Sequence, residues 1–100
     1  MKFRIVFSIA AEKDIAELLT YLVYEAGEKV AHDYVDRLVN YCEGLETFPQ
    51  RGARQDDLRP GLRIVGYRRK ASIAFQVDDG RVTIVRVFHG GQNLELADDD

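Results

Sequence analysis

The stretch "ASIAFQVDDGRVTIVRVFHGGQ", Ala71 to Gln92, holds two apolar runs joined by Asp78-Asp79-Gly80. An Asp-Gly pair tolerates the positive φ of a tight reversal, so strands over Ala71–Val77 and Arg81–Phe88 are expected to fold back as a hairpin. A further strand, Leu62–Tyr67, precedes them across Arg68-Arg69-Lys70, a weaker turn signal because it has no glycine. Three consecutive strands joined by short turns predict an antiparallel sheet.

Upstream, "QRGARQDDLRPG", residues 50–61, has Gly, Pro and paired Asp with no periodicity, and reads as a loop. Two helical patterns lie before it. From Ala10 to Ala26, the residues Ala11, Ile15, Leu18, Leu19 and Leu22 recur at helical spacing, with Glu12, Lys13, Glu17 and Glu25 on the other side. Ser8 stands at the N-cap position and Gly27 at the stop. The second pattern runs from about Glu28 to Phe48, with Val30, Tyr34, Leu38, Tyr41 or Cys42, and Leu45 as its apolar stripe, and Pro49 cannot continue it. With so short a joint the two helices must turn back on each other. "KFRIVF", residues 2–7, alternates like a half-buried strand. The expected order is β-α-α-β-β-β, an α+β fold whose antiparallel sheet carries an N-terminal helical hairpin on one face. One domain is expected over 1–96, followed by a frayed acidic tail, 97–100.

Composition narrows the function classes. A chain of 100 residues that is 46% hydrophobic supports one small core. Its 31% charged residues leave no apolar run near the roughly 18 needed to span a bilayer. "MKFRIVFS" is too short in its apolar part for a secretory signal, so a cytoplasmic protein is expected. Cys42 is the single cysteine and falls in the second helical pattern, so it reads as a small buried hydrophobe and no internal disulfide can form. The two histidines are far apart in sequence, and neither a metal site nor a cofactor is expected.

Charge is divided along the chain. Residues 8–50 hold three basic and nine acidic residues, whereas residues 51–90 hold nine basic and four acidic. This asymmetry predicts an acidic helical side and a basic working face. Arg51, Arg54, Arg59, Arg63, Arg68, Arg69 and Lys70 form the basic cluster. It is either a solvated loop and edge turn or a docking face for something acidic. Little aromatic interleaving beyond Tyr67 argues against base stacking. Arg86 and His89 raise a similar choice. They are either site residues or strand-end residues, Arg86 pairing with a carboxylate while its stem covers apolar surface.

Taken in order, "AEKDIAELLTYLVYEAG", "LETFPQRG", "RPGLRIVGYRR" and "IAFQVDDGRVTIVRVFHGGQ" resemble the RelE/ParE family of toxin–antitoxin toxins, over residues 2 to about 93. The long helical hairpin and the "RVFHG" ending look more like the ParE branch. That resemblance implies the toxin of a type II module that poisons DNA gyrase without catalysis or cofactor and stabilises plasmids. It also implies a ParD-like antitoxin with a ribbon-helix-helix DNA-binding part, and a hetero-oligomeric complex. The resemblance offers two alternatives: a RelE-type ribosome-dependent messenger ribonuclease, and a toxin fold that only binds its antitoxin. Ribonuclease relatives place an arginine where this chain has Ser72; the residues left for cleavage would be Arg63, Arg86 and His89. The expected target-binding set is Arg59, Arg63, Arg68, Arg69, Lys70, Arg86 and His89. Tyr21, Val23 and Tyr24 are the expected antitoxin-binding residues, beyond what the hairpin needs for its own packing.

Overall fold

A computed structural model describes residues 2–68 and 70–89 of the chain. The elements are β1 (Arg4–Phe7), α1 (Ile9–Ala26), α2 (Glu28–Gly44), β2 (Ala53–Arg54), β3 (Leu62–Tyr67), β4 (Ala71–Asp78) and β5 (Arg81–His89). The tail expected over 97–100 lies outside the described residues, as do Arg69 and the Gly90-Gly91 pair.

The strands form one sheet in the order β1-β5-β4-β3-β2. The hairpins β3–β4 and β4–β5 are antiparallel, in line with the turn chemistry, but β1 runs parallel to β5, from Arg4↔Arg81 to Phe7↔Ile84. The sheet is therefore mixed, which corrects the expectation of a wholly antiparallel one. The cause lies at Ser8. This single residue joins β1 to α1, so the helix starts where the strand stops and continues past it along the half of β5 that β1 leaves uncovered. The Ser8 N–H donates to the Ile84 carbonyl at 2.9 Å, and its hydroxyl donates to the Val85 carbonyl at 2.7 Å while accepting from the Ala11 N–H at 3.0 Å. One side chain thus caps the helix and ties it to the sheet. Ser8→Ala should lower the unfolding free energy by about 1–2 kcal/mol. Urea unfolding checks this, and Ser8→Thr should recover most of the loss.

The segment 50–61 also differs from a plain loop, since Ala53 and Arg54 pair with Ile64 and Arg63 as a two-residue edge strand. Its remainder is braced. Asp56 accepts from the Gly61 N–H and from Arg54, and Gln76 donates to the Pro60 carbonyl. The second helix stops at Gly44, short of the expected Phe48. Leu45, Glu46 and Thr47 then donate three residues back, to Cys42, Glu43 and Gly44, in a tightened final turn. That turn drops Leu45 into the core.

The hairpin packs Ala11, Leu18 and Leu22 of α1 and Ala31, Val35, Leu38 and Cys42 of α2 over Ile73, Phe75, Val82, Ile84 and Val87 of the sheet. The stripe on α2 is rotated from the expected one: Val30 is exposed, while Tyr34 and Tyr41 lie on its flank beside β3. Cys42 is buried in the core, and burial pushes its thiol up to about 12. By strand alternation, Leu62, Ile64 and Ala74 face the other side of the sheet, where they cluster with Val85 and Phe88.

Candidate functional site

At the end of β5, Arg86 points to α1. Its Nε donates to Asp14 Oδ2 at 2.7 Å and its Nη2 to Oδ1 at 3.0 Å, a bidentate ion pair. The same carboxylate accepts the Val87 N–H at 2.9 Å. Asp14 thereby caps the edge of β5 where β1 no longer covers it. One strand position from Phe88, His89 stacks on Tyr21, with ring centroids 4.7 Å apart. The spacing explains why both contacts form. Asp14 and Tyr21 are seven residues apart on α1, a rise of about 10.5 Å. Arg86 and His89 are three apart on β5, about 10 Å. The flank of α1 and the end of β5 therefore run in step.

Arg63 is not part of this arrangement. It pairs with Phe75, and His89 with Ala71, so the two lie two strands and four residues apart, roughly 16 Å by ideal sheet spacing. Arg63 instead lines a cleft of about 240 Å³ with Gln50, Arg54, Gly61, Leu62 and Val77, and its Nη1 reaches the Arg51 carbonyl at 3.5 Å. General acid–base cleavage needs its groups within hydrogen-bond reach of one phosphate. Arg63, Arg86 and His89 do not converge in that way. Ser72, at the position where ribonuclease relatives carry arginine, pairs with Gly66 and Phe88 in the sheet.

The basic cluster is divided into two parts. Arg54 is paired with Asp56 at 2.8 Å, and the carboxyl of Asp56 is held below the usual range, first by the Gly61 N–H and then by Arg54 and Arg63. The other part surrounds rings that the sequence pattern had assigned only to a helix stripe. Tyr34 and Tyr41, also seven residues apart, both approach Tyr67 of β3, with centroids at 5.7 and 5.2 Å. The Tyr34 hydroxyl donates to the Tyr67 carbonyl at 3.3 Å. Arg51 lies over Tyr41 and Arg68 over Tyr67. Burial, and after it Tyr67, raises the Tyr34 hydroxyl's pKa, against an opposing effect of Arg68. The signal available in sequence was the heptad spacing of Tyr34 and Tyr41, which alone does not say which strand they meet. Arg59 is half-buried in the braced segment, and Lys70 is exposed after the β3–β4 turn.

On the outer face of α1, Tyr24 is 88% exposed and Tyr21 about half so, whereas Val23 packs against the main core. The structure thus separates Val23 from the two tyrosines with which it was grouped. A shallow apolar groove of about 320 Å³ opens beside this helix, lined by Phe7, Glu12, Ile15, Ala16, Leu19 and Val39. Among the described residues, no three His, Cys, Asp or Glu side chains are grouped so as to hold a metal ion, and no helix is long and apolar enough to cross a membrane.

Comparison with known proteins gives a consistent assignment. A family model described as the ParE toxin of the type II toxin–antitoxin system, parDE, matches residues 5–94. Toxin ParE3 of Caulobacter vibrioides is 32% identical over 68 residues, 68% of this chain and 67% of that protein. Among solved structures, a chain of the chromosomal ParDE system from P. aeruginosa superposes with a TM-score of 0.74 at 21% identity, covering 88% of this chain and 96% of that one. A chain of the RelBE2 toxin–antitoxin complex from Mycobacterium tuberculosis gives 0.63 at 19% identity, covering 92% and 95%. At such identities the two structures show a shared fold. The family model, spanning β1 to beyond β5, and the ParE3 relative go further: this chain belongs to the ParE family of toxins of type II toxin–antitoxin systems.

Proposed function

We propose that this toxin inhibits DNA gyrase by direct binding, in the cytoplasm, without catalysis of its own, and that a ParD-like antitoxin neutralises it. The observation that carries the non-catalytic part is the engagement of Arg86. A ribonuclease would turn this guanidinium to a phosphate, but here it forms a bidentate pair with Asp14. Arg63 lies two strands away on β3, and His89 stacks on a tyrosine. A binding role asks for no such convergence. The exposed Arg68 and Lys70, with the half-buried Arg59 and Arg63, are the cations proposed to meet the target, and the sequence adds Arg69 to them. For the antitoxin, the groove beside α1 offers an apolar track that an amphipathic segment could follow on folding, and Tyr24 is an exposed ring on another face of the same helix. The P. aeruginosa neighbour is itself from a ParDE system, which supports a ParD-like partner; a ribbon-helix-helix part and a hetero-oligomeric complex belong to the same proposal.

The test is a gyrase supercoiling and cleavage assay with the purified chain. Loss of supercoiling with accumulation of cleaved DNA, reversed by the cognate antitoxin, is the expected result, and His89→Ala should leave it intact. Unaffected gyrase, with the folded protein still toxic in cells, would overturn the proposal and move the target to the ribosome.

A further inference from the structure

The corner where α2 meets β3 has an arrangement that the helix packing does not use and that shares only Arg68 and Lys70 with the proposed gyrase face. Tyr34, Tyr41 and Tyr67 form a ring cluster, with Arg51 at 5.7 Å from the Tyr41 centroid and Arg68 at 5.8 Å from that of Tyr67. Arg68 is the only non-glycine among the described residues with positive φ, +49°. A bulky side chain seldom adopts that conformation. Here it accompanies the placing of a guanidinium against an aromatic face. Lys70 is exposed two residues on, and Phe48, three residues before Arg51, is 66% exposed.

These cations differ from the other arginines near the strands. Arg54, Arg81 and Arg86 are paired with Asp56, Asp78 and Asp14. Arg51, Arg68 and Lys70 have no carboxylate within ion-pair distance among the described residues. A guanidinium lying over a ring keeps its planar edge of N–H donors for an outside acceptor. Two such edges, an ammonium and an exposed phenyl ring call for an anion that also brings apolar surface. Nucleic acid fits less well. Tyr67 is only 9% exposed and its neighbours close around it, so no free ring face awaits a base. Phe48 would gain nothing from phosphates.

We propose that this corner docks an acidic peptide segment, its carboxylates on Arg51 and Arg68 with Lys70 in support, and an apolar side chain of the segment on Phe48. The proposal shares Arg68 and Lys70 with the proposed gyrase face but does not require that the target be gyrase.

The experiment is fluorescence anisotropy of the full chain with a short labelled peptide alternating glutamate with leucine and phenylalanine. A charge-reversed lysine version and a single-stranded oligodeoxynucleotide of equal charge serve as comparisons. Saturable binding of the acidic peptide alone is expected, weakened by salt and by about tenfold or more in Arg51→Glu/Arg68→Glu. The decisive variant is Arg68→Gly, which suits the backbone conformation but removes the guanidinium. It should keep or raise the thermal midpoint while binding several-fold more weakly. A lowered midpoint with unchanged binding would make Arg68 a purely structural residue and overturn the proposal. Preference for the oligonucleotide, absence of binding, or binding indifferent to the double substitution would overturn it equally. No gyrase enters the titration, so its failure and that of the gyrase assay are separately legible.

Discussion

Asp14→Ala is expected to cost about 3 kcal/mol of unfolding free energy, a loss typical of removing one partner of a largely buried ion pair. The carboxylate accepts three hydrogen bonds, two from Arg86 and one from the Val87 N–H, and its side chain is only 11% exposed against 22% for Arg86. Alanine deprives a shielded guanidinium of its bidentate partner and an edge N–H of its acceptor in one step. For a domain of this size the midpoint should fall by roughly 12–24 °C. Asp14→Asn, which keeps the shape and one acceptor oxygen, should lose about half as much. The effect is not local, because Asp14 fixes the flank of α1 along the part of β5 beyond β1. A double-mutant cycle with Arg86→Ala should return a coupling of about 1.5–3 kcal/mol. A loss below about 1 kcal/mol on Asp14→Ala would show that the pair is not a principal tie between helix and sheet.

What was legible in the sequence was whatever local chemistry decides. Asp79-Gly80 marked the β4–β5 reversal, Ser8 the start of α1 and Gly27 its end, and all three stand where the pattern put them. The direction of β1 was not legible. It pairs with a strand more than seventy residues away, and no alternation of side chains says whether such a pair runs parallel. The short β2 escaped for a different reason. Two exposed residues carry no periodicity, and their pairing depends on how Gly52 seats against β3. At the candidate site, pairing of Arg86 with a carboxylate was one of the two readings open from sequence. The identity of that carboxylate needed the third dimension, since Asp14 looks like any solvated helix acid until β5 is laid beside it. The ring cluster around Tyr67 was hidden in the same way. Tyr34 and Tyr41 satisfy a helix stripe, and only the tertiary fold brings arginines from two loops onto the rings.

Gly52→Ala should be comparably damaging, at about 2–5 kcal/mol, and it bears on why the family motifs lie where they do. Gly52 has φ of +75°, and a Cβ added there would lie inside contact distance of the Ile64 carbonyl oxygen and 3.1 Å from the Val65 Cβ. The left-handed backbone alone costs a non-glycine residue about 1–2 kcal/mol. The clash adds a further overpacking cost of about 1–3 kcal/mol unless the segment moves. The carbonyl belongs to a strand paired with β4 on its other side, so it is the loop that must give way. Separation of β2 from β3 should follow, exposing the Ile64 and Arg63 edge. Gly80→Ala is the control, since Gly80 has φ of +69° but open space at its Cβ, and should lose only the backbone cost of about 1–2 kcal/mol. Hydrogen exchange would separate the two effects. Gly52→Ala should speed exchange along β2 and the outer edge of β3 while sparing the β4–β5 hairpin, and Gly80→Ala should do the reverse. Equal losses for both substitutions would mean that the close approach at Gly52 relaxes freely. "PQRG" would then require glycine for its backbone angle alone. Unequal losses would tie that motif, and with it the seating of Arg51 and Arg54 beside β3, to the space a missing Cβ leaves.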